Sequence, residues 1–308
     1  MKPFAVILTL TASTVVLASP RIQDLSGFGG YATALAGRGT GGGANAGDNL
    51  ENQLLAGLHD ADWGFFTSGS ASASASYSDS IVTASATSFV GLGQMHLYAD
   101  NSGPNSGFRY GGGSGGWIDT LTINSAGLTG TAGRLVYTLD VEGMLKSTGF
   151  SGASRIQILE YKDKQMVPRD SVFDSSNDPL EVSTDRQMVV YGVASDFSNE
   201  HRTIDKTVTF TVPFTYGTPF ELGIFANAVA GARSSSGVGG ISTAEIDFKN
   251  TILWNGISSV LDPSGQGVSD FSIVSASGTD WTQPVPEPGT MAALTLGVAA
   301  LLRRRKGQ

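Results

Sequence analysis

The sequence predicts an all-β fold: an antiparallel β-sandwich, jelly-roll-like, followed by a C-terminal hydrophobic helix. Residues 207–214 alternate strictly, with Val208, Phe210, Val212 and Phe214 on one side, as expected for a strand with one buried face. Residues 135–141 repeat this pattern. Turn-forming residues separate such stretches, and we find no amphipathic helical pattern of ten or more residues between them, which disfavours a βαβ fold.

The remaining candidate strands are short apolar or alternating stretches. They are residues 70–77, 81–90, 95–98, 118–123, 155–161, 188–193, 220–230, 244–254 and 268–274. Proline cannot donate a ladder hydrogen bond, so Pro213 indicates an edge strand or a bulge. The run Gly111–Gly116 is interpreted as a flexible connector. No repeat of fixed period is evident, which argues against a β-helix or a propeller.

Composition favours a single folded body over residues 19–285. Charged residues make up 15% of the 308 residues, against roughly 25% in an average domain. The 41 glycines and the 40% hydrophobic content suggest apolar strands joined by Gly/Ser loops around a real core. Within this body, residues 19–47 are rich in Gly, Ala and Thr and are expected to form loops or loosely paired strands. Asp48 and Glu51 have the spacing of a short helix cap.

The charge balance excludes one class of partner. The net charge is -8, and removal of residues 1–18 and 286–308 leaves 14 basic and 26 acidic residues, a net charge of -12. A surface of this sign repels phosphate backbones, so we expect no nucleic-acid partner. The chain has no cysteine, which excludes disulfides and thiolate chemistry.

The first 18 residues are typical of a signal peptide. Lys2 is followed by an apolar stretch that ends in a small-residue cleavage site, and cleavage is expected between Ala18 and Ser19. The sequence therefore predicts an exported protein.

The last 23 residues form a tail with three parts. Pro286, Glu287 and Pro288 come first, and the apolar residues 291–302 follow. Twelve helical residues span only about 18 Å, well short of the roughly 30 Å hydrocarbon core. The cluster Arg303, Arg304, Arg305 and Lys306 would stay cytoplasmic and stop transfer across the membrane. We predict a short transmembrane helix over residues 291–302 that anchors the chain transiently in the inner membrane.

In its order and position, this tail resembles the PEP-CTERM sorting signal of exopolysaccharide-producing bacteria. The resemblance implies that an exosortase, a membrane protease, recognises the Pro286–Pro288 motif and processes the tail. It also implies a location at the cell-envelope surface or in the extracellular matrix, where exopolysaccharide is a candidate partner. On this basis we expect a structural or adhesive protein without enzymatic activity or cofactor.

Catalytic motifs are sparse in the body. His59, His96 and His201 have no metal-binding spacing, and no Gly-x-Ser-x-Gly motif joins a strand to a helix. Glycoside hydrolysis needs two facing carboxylates, for which the candidates are the strand glutamates. These are Glu142, Glu160, Glu221 and Glu245.

Two binding functions are the alternatives for the body. A carbohydrate-binding module for matrix polysaccharide would use tryptophans to stack on sugar rings, although Trp254 is expected in the core or at a strand end. The other candidates are Trp63, Trp117 and Trp281. Asp170, Asp174 and Asp178 offer oxygen ligands of the kind that calcium prefers, but they lack EF-hand spacing.

Overall fold

The computed structural model describes residues 22–39, 58–104, 108–167, 188–232 and 240–285. These residues form twelve strands and one short 3-10 helix, Ile22–Asp24. The strands are β1 (Phe28–Gly39), β2 (Leu58–Phe66), β3 (Ser70–Ser78), β4 (Thr83–Gly91), β5 (Gln94–Pro104), β6 (Phe108–Asn124), β7 (Ala132–Lys162), β8 (Gln165–Met166), β9 (Met188–Thr215), β10 (Phe220–Ala232), β11 (Ile241–Leu261) and β12 (Ser272–Ser275).

Hydrogen bonds join all twelve strands into one continuous antiparallel sheet. Its main order is β2-β1-β6-β10-β7-β11-β5-β4-β3, with β8 and β9 paired to β7 and β12 paired to β6. The predicted all-β, antiparallel architecture is therefore confirmed. The jelly-roll topology stays a prediction, and the C-terminal helix falls outside the described residues.

The sheet folds over on itself at β7. The first half of this strand, residues 134–148, pairs with β11, and the second half, residues 152–162, pairs with β10. Register shifts in the β7–β9 pairing mark the junction between Gly149 and Ala153. As a result, β3 and β4 pack over β1, and β4 and β5 pack over β6. The first layer comprises β2, β1, β6, β10 and the second half of β7, and the other strands of the main order form the second layer.

A column of glycines in β6 lets the two layers approach closely. Gly111, Gly113 and Gly115 pair with inward-facing alanines of β1 and β10. A Cβ atom at Gly111 would lie 2.5 Å from the carbonyl oxygen of Ser85 and 2.6 Å from that of Asp100. Gly111–Gly116 is therefore a central strand segment, and its interpretation as a flexible connector was wrong. A hydrogen atom is all that fits between these backbones.

At the other end of the sandwich, aromatic rings fill the space between the layers. Tyr137 stacks on Trp254 with ring centroids 4.5 Å apart, and on Phe210 at 5.6 Å. Trp254 is fully buried, which confirms its expected place in the core. Val208, Phe210, Val212 and Phe214 are also buried, as their alternation predicts.

Two expectations about strand boundaries need correction. Residues 28–39, within the stretch expected to be loop or loosely paired, form β1, which pairs with β2 on one edge and β6 on the other. Its inward residues Ala32, Ala34 and Ala36 are fully buried, so small side chains here reflect close packing. Stretches predicted as separate strands are joined in longer ones: residues 135–141 and 155–161 both belong to β7, and residues 188–193 and 207–214 both belong to β9. The proposed cap at Asp48 and Glu51 lies outside the described residues.

Carboxylates of β2 close the side of the sandwich where the two edge strands meet. Asp60 Oδ2 accepts a hydrogen bond from the backbone amide of Ser76 at 2.9 Å, and Asp62 Oδ2 accepts one from Ser74 at 3.0 Å. Both donors lie on the edge of β3 that is not paired with β4. An open strand edge is a template for pairing with another chain, so we expect these carboxylates to protect the protein against self-association.

Replacing both Asp60 and Asp62 by alanine is expected to expose this edge. We expect concentration-dependent self-association and a fall in melting temperature of about 2–4 °C, the change that roughly 1 kcal/mol produces in a chain of this size. Light scattering and a thermal melt measure both effects. The matched control is the double asparagine variant, which retains an accepting oxygen at each position. Equal behaviour of the alanine variant and the wild type would contradict the protective role.

Candidate functional site at the C-terminal strap

The described chain ends in a strap, residues 276–285, that follows β12 and leads directly to Pro286. β12 pairs with the end of β6, and the amide of Ala276 extends this contact by donating to the carbonyl of Thr120 at 2.9 Å. The strap then turns toward the aromatic end of the core, where Trp281 enters it.

Trp281 fixes the strap in the core. Its side chain is 1% exposed, and its ring stacks on Trp117 with centroids 4.8 Å apart. Its Nε1 donates to Asp119 Oδ2 at 2.7 Å, and its carbonyl oxygen accepts from Trp254 Nε1 at 2.9 Å. The indole and the backbone of Trp281 are therefore both bound inside the body.

Asp119 is the buried carboxylate that receives the strap. It is fully buried on the inner face of β6 and accepts hydrogen bonds from the amide and the hydroxyl of Ser277 as well as from Trp281. A buried carboxylate is costly unless it is hydrogen-bonded. The strap supplies these donors, so the strap and the core depend on each other.

The last described residue, Val285, is also bound to the body. Its amide donates to the carbonyl of Trp254 at 2.9 Å. Its side chain lies against Gly93, where an added Cβ would be 2.6 Å from Val285 Cγ2 and 3.2 Å from Trp281 Cζ3. Gly93 also has a φ of 72°, a conformation that favours glycine. The turn between β4 and β5 is thus shaped to hold the end of the strap.

Several site residues predicted from the sequence lie outside the described residues. They are Ala18 and Ser19 at the predicted cleavage site, the calcium candidates Asp170, Asp174 and Asp178, the motif Pro286, Glu287 and Pro288, and the cluster Arg303, Arg304, Arg305 and Lys306. Within the described ranges, no helix has the length and apolar character needed to cross a membrane. Nor do these ranges contain a group of three or more acidic or histidine side chains placed to hold a metal ion.

The four strand glutamates lie in different surroundings. Register places Glu160 on the inner face of the first layer and Glu221 on its outer face, where Glu221 Oε1 accepts from the amide of Gly27 at 3.2 Å. Glu142 and Glu245 lie on the outer face of the second layer, and Glu245 is 3.9 Å from Lys146 Nζ. Glu160 and Glu221 are therefore separated by the sheet itself and cannot act as a facing acid–base pair.

Glu160 is a buried carboxyl group within the core. Tyr137 donates its hydroxyl hydrogen to Glu160 Oε1 at 2.6 Å. Burial raises the pKa of Glu160 to about 8, although the bond from Tyr137 acts in the opposite direction. The carboxyl group is therefore protonated in the folded protein at neutral pH.

This proton makes stability depend on pH. The pKa of Glu160 is 4.5 in the unfolded chain and about 8 in the folded protein, so the folded state binds the proton more tightly. The stabilisation that this proton provides is complete below the unfolded pKa and is lost as pH rises through the folded pKa. Glu160→Gln retains an acceptor for Tyr137 and removes the titration. In urea unfolding at pH 5, 7 and 9, we expect the variant to gain stability relative to wild type as pH rises. Parallel pH profiles of the two proteins would contradict this assignment.

A shallow cleft of about 360 Å³ opens beside the edge where β2 meets β3. The groups around it are hydroxyls, one carboxylate and two rings. They belong to Asp62, Ser72, Ser74, Thr87, Phe89 and His96. The rings of Phe89 and His96 meet edge to face with centroids 5.2 Å apart. Such a mixture of polar groups and ring edges suits a neutral polyol better than an anion.

Trp281 and Asp119 are the site residues that the sequence did not single out for this role. Trp117, Trp254 and Trp281 are each at most 1% exposed, so they cannot stack on a sugar. Trp63 is half-buried on the outer face of β2. The sequence offered one indication of the strap, which is that Trp281 lies only five residues before Pro286.

Comparison with known proteins adds one finding about the tail. Residues 284–306 match the family model described as the PEP-CTERM protein-sorting motif. No curated protein matches the chain significantly. The matched residues start with Pro284 and Val285 of the strap and extend through the basic cluster. The chain therefore carries a PEP-CTERM protein-sorting motif at its C-terminal end, which indicates an exported protein that an exosortase sorts.

Proposed function

We propose that this protein is a non-enzymatic structural or adhesive component of the cell surface or the extracellular matrix. The observation that carries the proposal is the sorting motif at residues 284–306, whose first two residues belong to the strap of the body. In this account the signal peptide directs export, and residues 291–302 with the basic cluster hold the chain briefly in the inner membrane. An exosortase then processes the tail. The protein needs no cofactor for this role and has no nucleic-acid partner.

The contacts of the body support a role without catalysis. Glu160 is engaged by Tyr137 inside the core, and Glu221 binds the backbone of Gly27. The exposed face of β3 is a row of serines, Ser70, Ser72, Ser74, Ser76 and Ser78. Uncharged hydroxyls on an exposed sheet face suit hydrated contacts with a neutral polymer.

Expression of the full chain with and without an exosortase tests this proposal. The variant Pro286→Ala/Glu287→Ala/Pro288→Ala removes the motif, and Pro263→Ala in an exposed turn is the control. We expect the wild type and the control to lose the basic cluster only when the enzyme is present, and the motif variant to retain it. Fractionation followed by intact-mass measurement reports both location and processing. A mature extracellular pool that still carries Arg303–Lys306 would overturn the proposal.

A second function, binding of matrix carbohydrate, is favoured by the cleft beside β3. Phe89 would provide the ring edge, and Ser72, Thr87 and Asp62 the polar contacts. Binding of neutral polysaccharides, measured by affinity electrophoresis, should be lost in Phe89→Ala and retained in Phe65→Ala, which removes an exposed ring from the first layer. Equal retardation of both variants, or none of the wild type, would exclude this cleft as a carbohydrate site.

A further inference from the structure

The Pro-Glu-Pro sequence begins directly after Val285, the last described residue of the body. Val285 is bound to Trp254 through its backbone and to the turn at Gly93 through its side chain. Pro286 is the next residue. The chain therefore has no free linker between the strap and the Pro-Glu-Pro sequence.

Proteases cut preferentially at exposed segments with few backbone contacts. The side chains of residues 282–284 are exposed, but the strap is held at three points, because Ala276 and Val285 are hydrogen-bonded to the body and Trp281 is enclosed by it. For the backbone of residues 282–284 to enter a protease site in extended form, it would have to leave the body, which breaks the hydrogen bond from Val285 to Trp254 and withdraws Trp281 from its place beside Trp117 and Trp254. Asp119 would then lose its indole donor within the core.

We propose that the Trp281 strap sets the upstream limit of tail processing, so that the exosortase cuts after Val285 and the mature protein keeps the strap. The inference rests on the proposed function, since it concerns the same processing event. It adds a role for the body, because the bound strap defines the last residues that the fold holds back from the protease. Residues 276–285 belong to the mature domain, and the processed tail starts no earlier than Pro286.

The direct test is the C-terminus of the wild-type mature protein. The full chain is produced with an exosortase, and the mature pool is analysed by intact mass and by sequencing of its C-terminal peptide. We expect every processed chain to contain Val285. Processed chains that end before Val285 would overturn the inference alone, whereas retention of Arg303–Lys306 in every chain would overturn the proposed function together with it.

Variants show whether the strap or the Pro-Glu-Pro motif sets the upstream limit of processing. Trp281→Ala leaves Pro286–Pro288 unchanged but frees the strap, and we expect chains that end before Val285, absent from the wild-type pool, to appear in the mature pool. Trp63→Ala, a tryptophan of β2 outside the strap, should give the wild-type termini. Ser277→Ala, which removes one hydroxyl donor to Asp119, provides a milder loosening if Trp281→Ala does not fold. Wild-type termini in both strap variants would overturn the proposed role.

Discussion

Trp281→Ala is expected to lower the free energy of unfolding by about 3–5 kcal/mol, the range for removing a large aromatic side chain from a core. The indole stacks on Trp117, meets Trp254 edge to face at 4.9 Å and donates to Asp119. Its loss leaves a cavity and deprives the buried carboxylate of Asp119 of one hydrogen-bond donor, and both effects destabilise the folded state.

Equilibrium unfolding in urea, followed by tryptophan fluorescence and by circular dichroism, measures this loss. Trp63→Ala is the matched control, because Trp63 is half-buried on the outer face of β2. We expect a clearly smaller loss for the control. Equal effects of the two substitutions would show that the strap does not contribute to stability.

Gly111→Ala is expected to destabilise the fold by about 3 kcal/mol or more, at the upper end of the range for overpacked cores. The added methyl group would meet the carbonyl oxygens of Ser85 and Asp100 at 2.5 and 2.6 Å. Both oxygens belong to strand backbone in the opposite layer, so no side chain can rotate away. Relief would require the layers to separate locally, which weakens the packing of the neighbouring alanines.

Gly192→Ala is the control for this substitution. Gly192 lies in β9, and the nearest atom to an added Cβ there is the Ser154 carbonyl oxygen at 3.5 Å. Alanine should be neutral or slightly stabilising at this position, since it reduces the freedom of the unfolded chain. Thermal melts of both variants give the comparison, and equal melting temperatures would contradict the close approach of the layers.

Local sequence patterns predicted the strands that carry large apolar side chains on one face. The alternation at 207–214 is an example, because Phe210 and Val212 indicate a buried face without any knowledge of the neighbouring strand. Pro213 was expected at an edge or a bulge, and it lies in β9, which among the described strands pairs with β7 alone.

The glycine column could not be predicted in this way. A strand that packs through its backbone has the same composition as a flexible connector, and the deciding contacts come from Ser85 and Asp100 in other strands. Nor could the sequence alone show that two apolar stretches form the single strand β7, because the pairing with β9, β10 and β11 decides where that strand continues.

The same reason explains why the sequence alone predicted the sorting tail but not the strap. The sorting motif is linear, so Pro286, Glu287 and Pro288 are recognisable from their order alone. Trp281 is a single aromatic residue in a polar stretch, and its partner Asp119 is 162 residues away in the chain. Only the fold brings them together.

The strap also determines how the body would respond to mechanical tension. A pull on Val285 acts first on the hydrogen bond to Trp254, then on Trp281, and only afterwards on the short pairing of β12 with β6. Release of the ten residues 276–285 would lengthen the chain by up to about 35 Å at 3.3–3.6 Å per residue. We therefore expect a chain that is pulled at Val285 to yield by this distance before the long ladder of β7 and β9 bears the load.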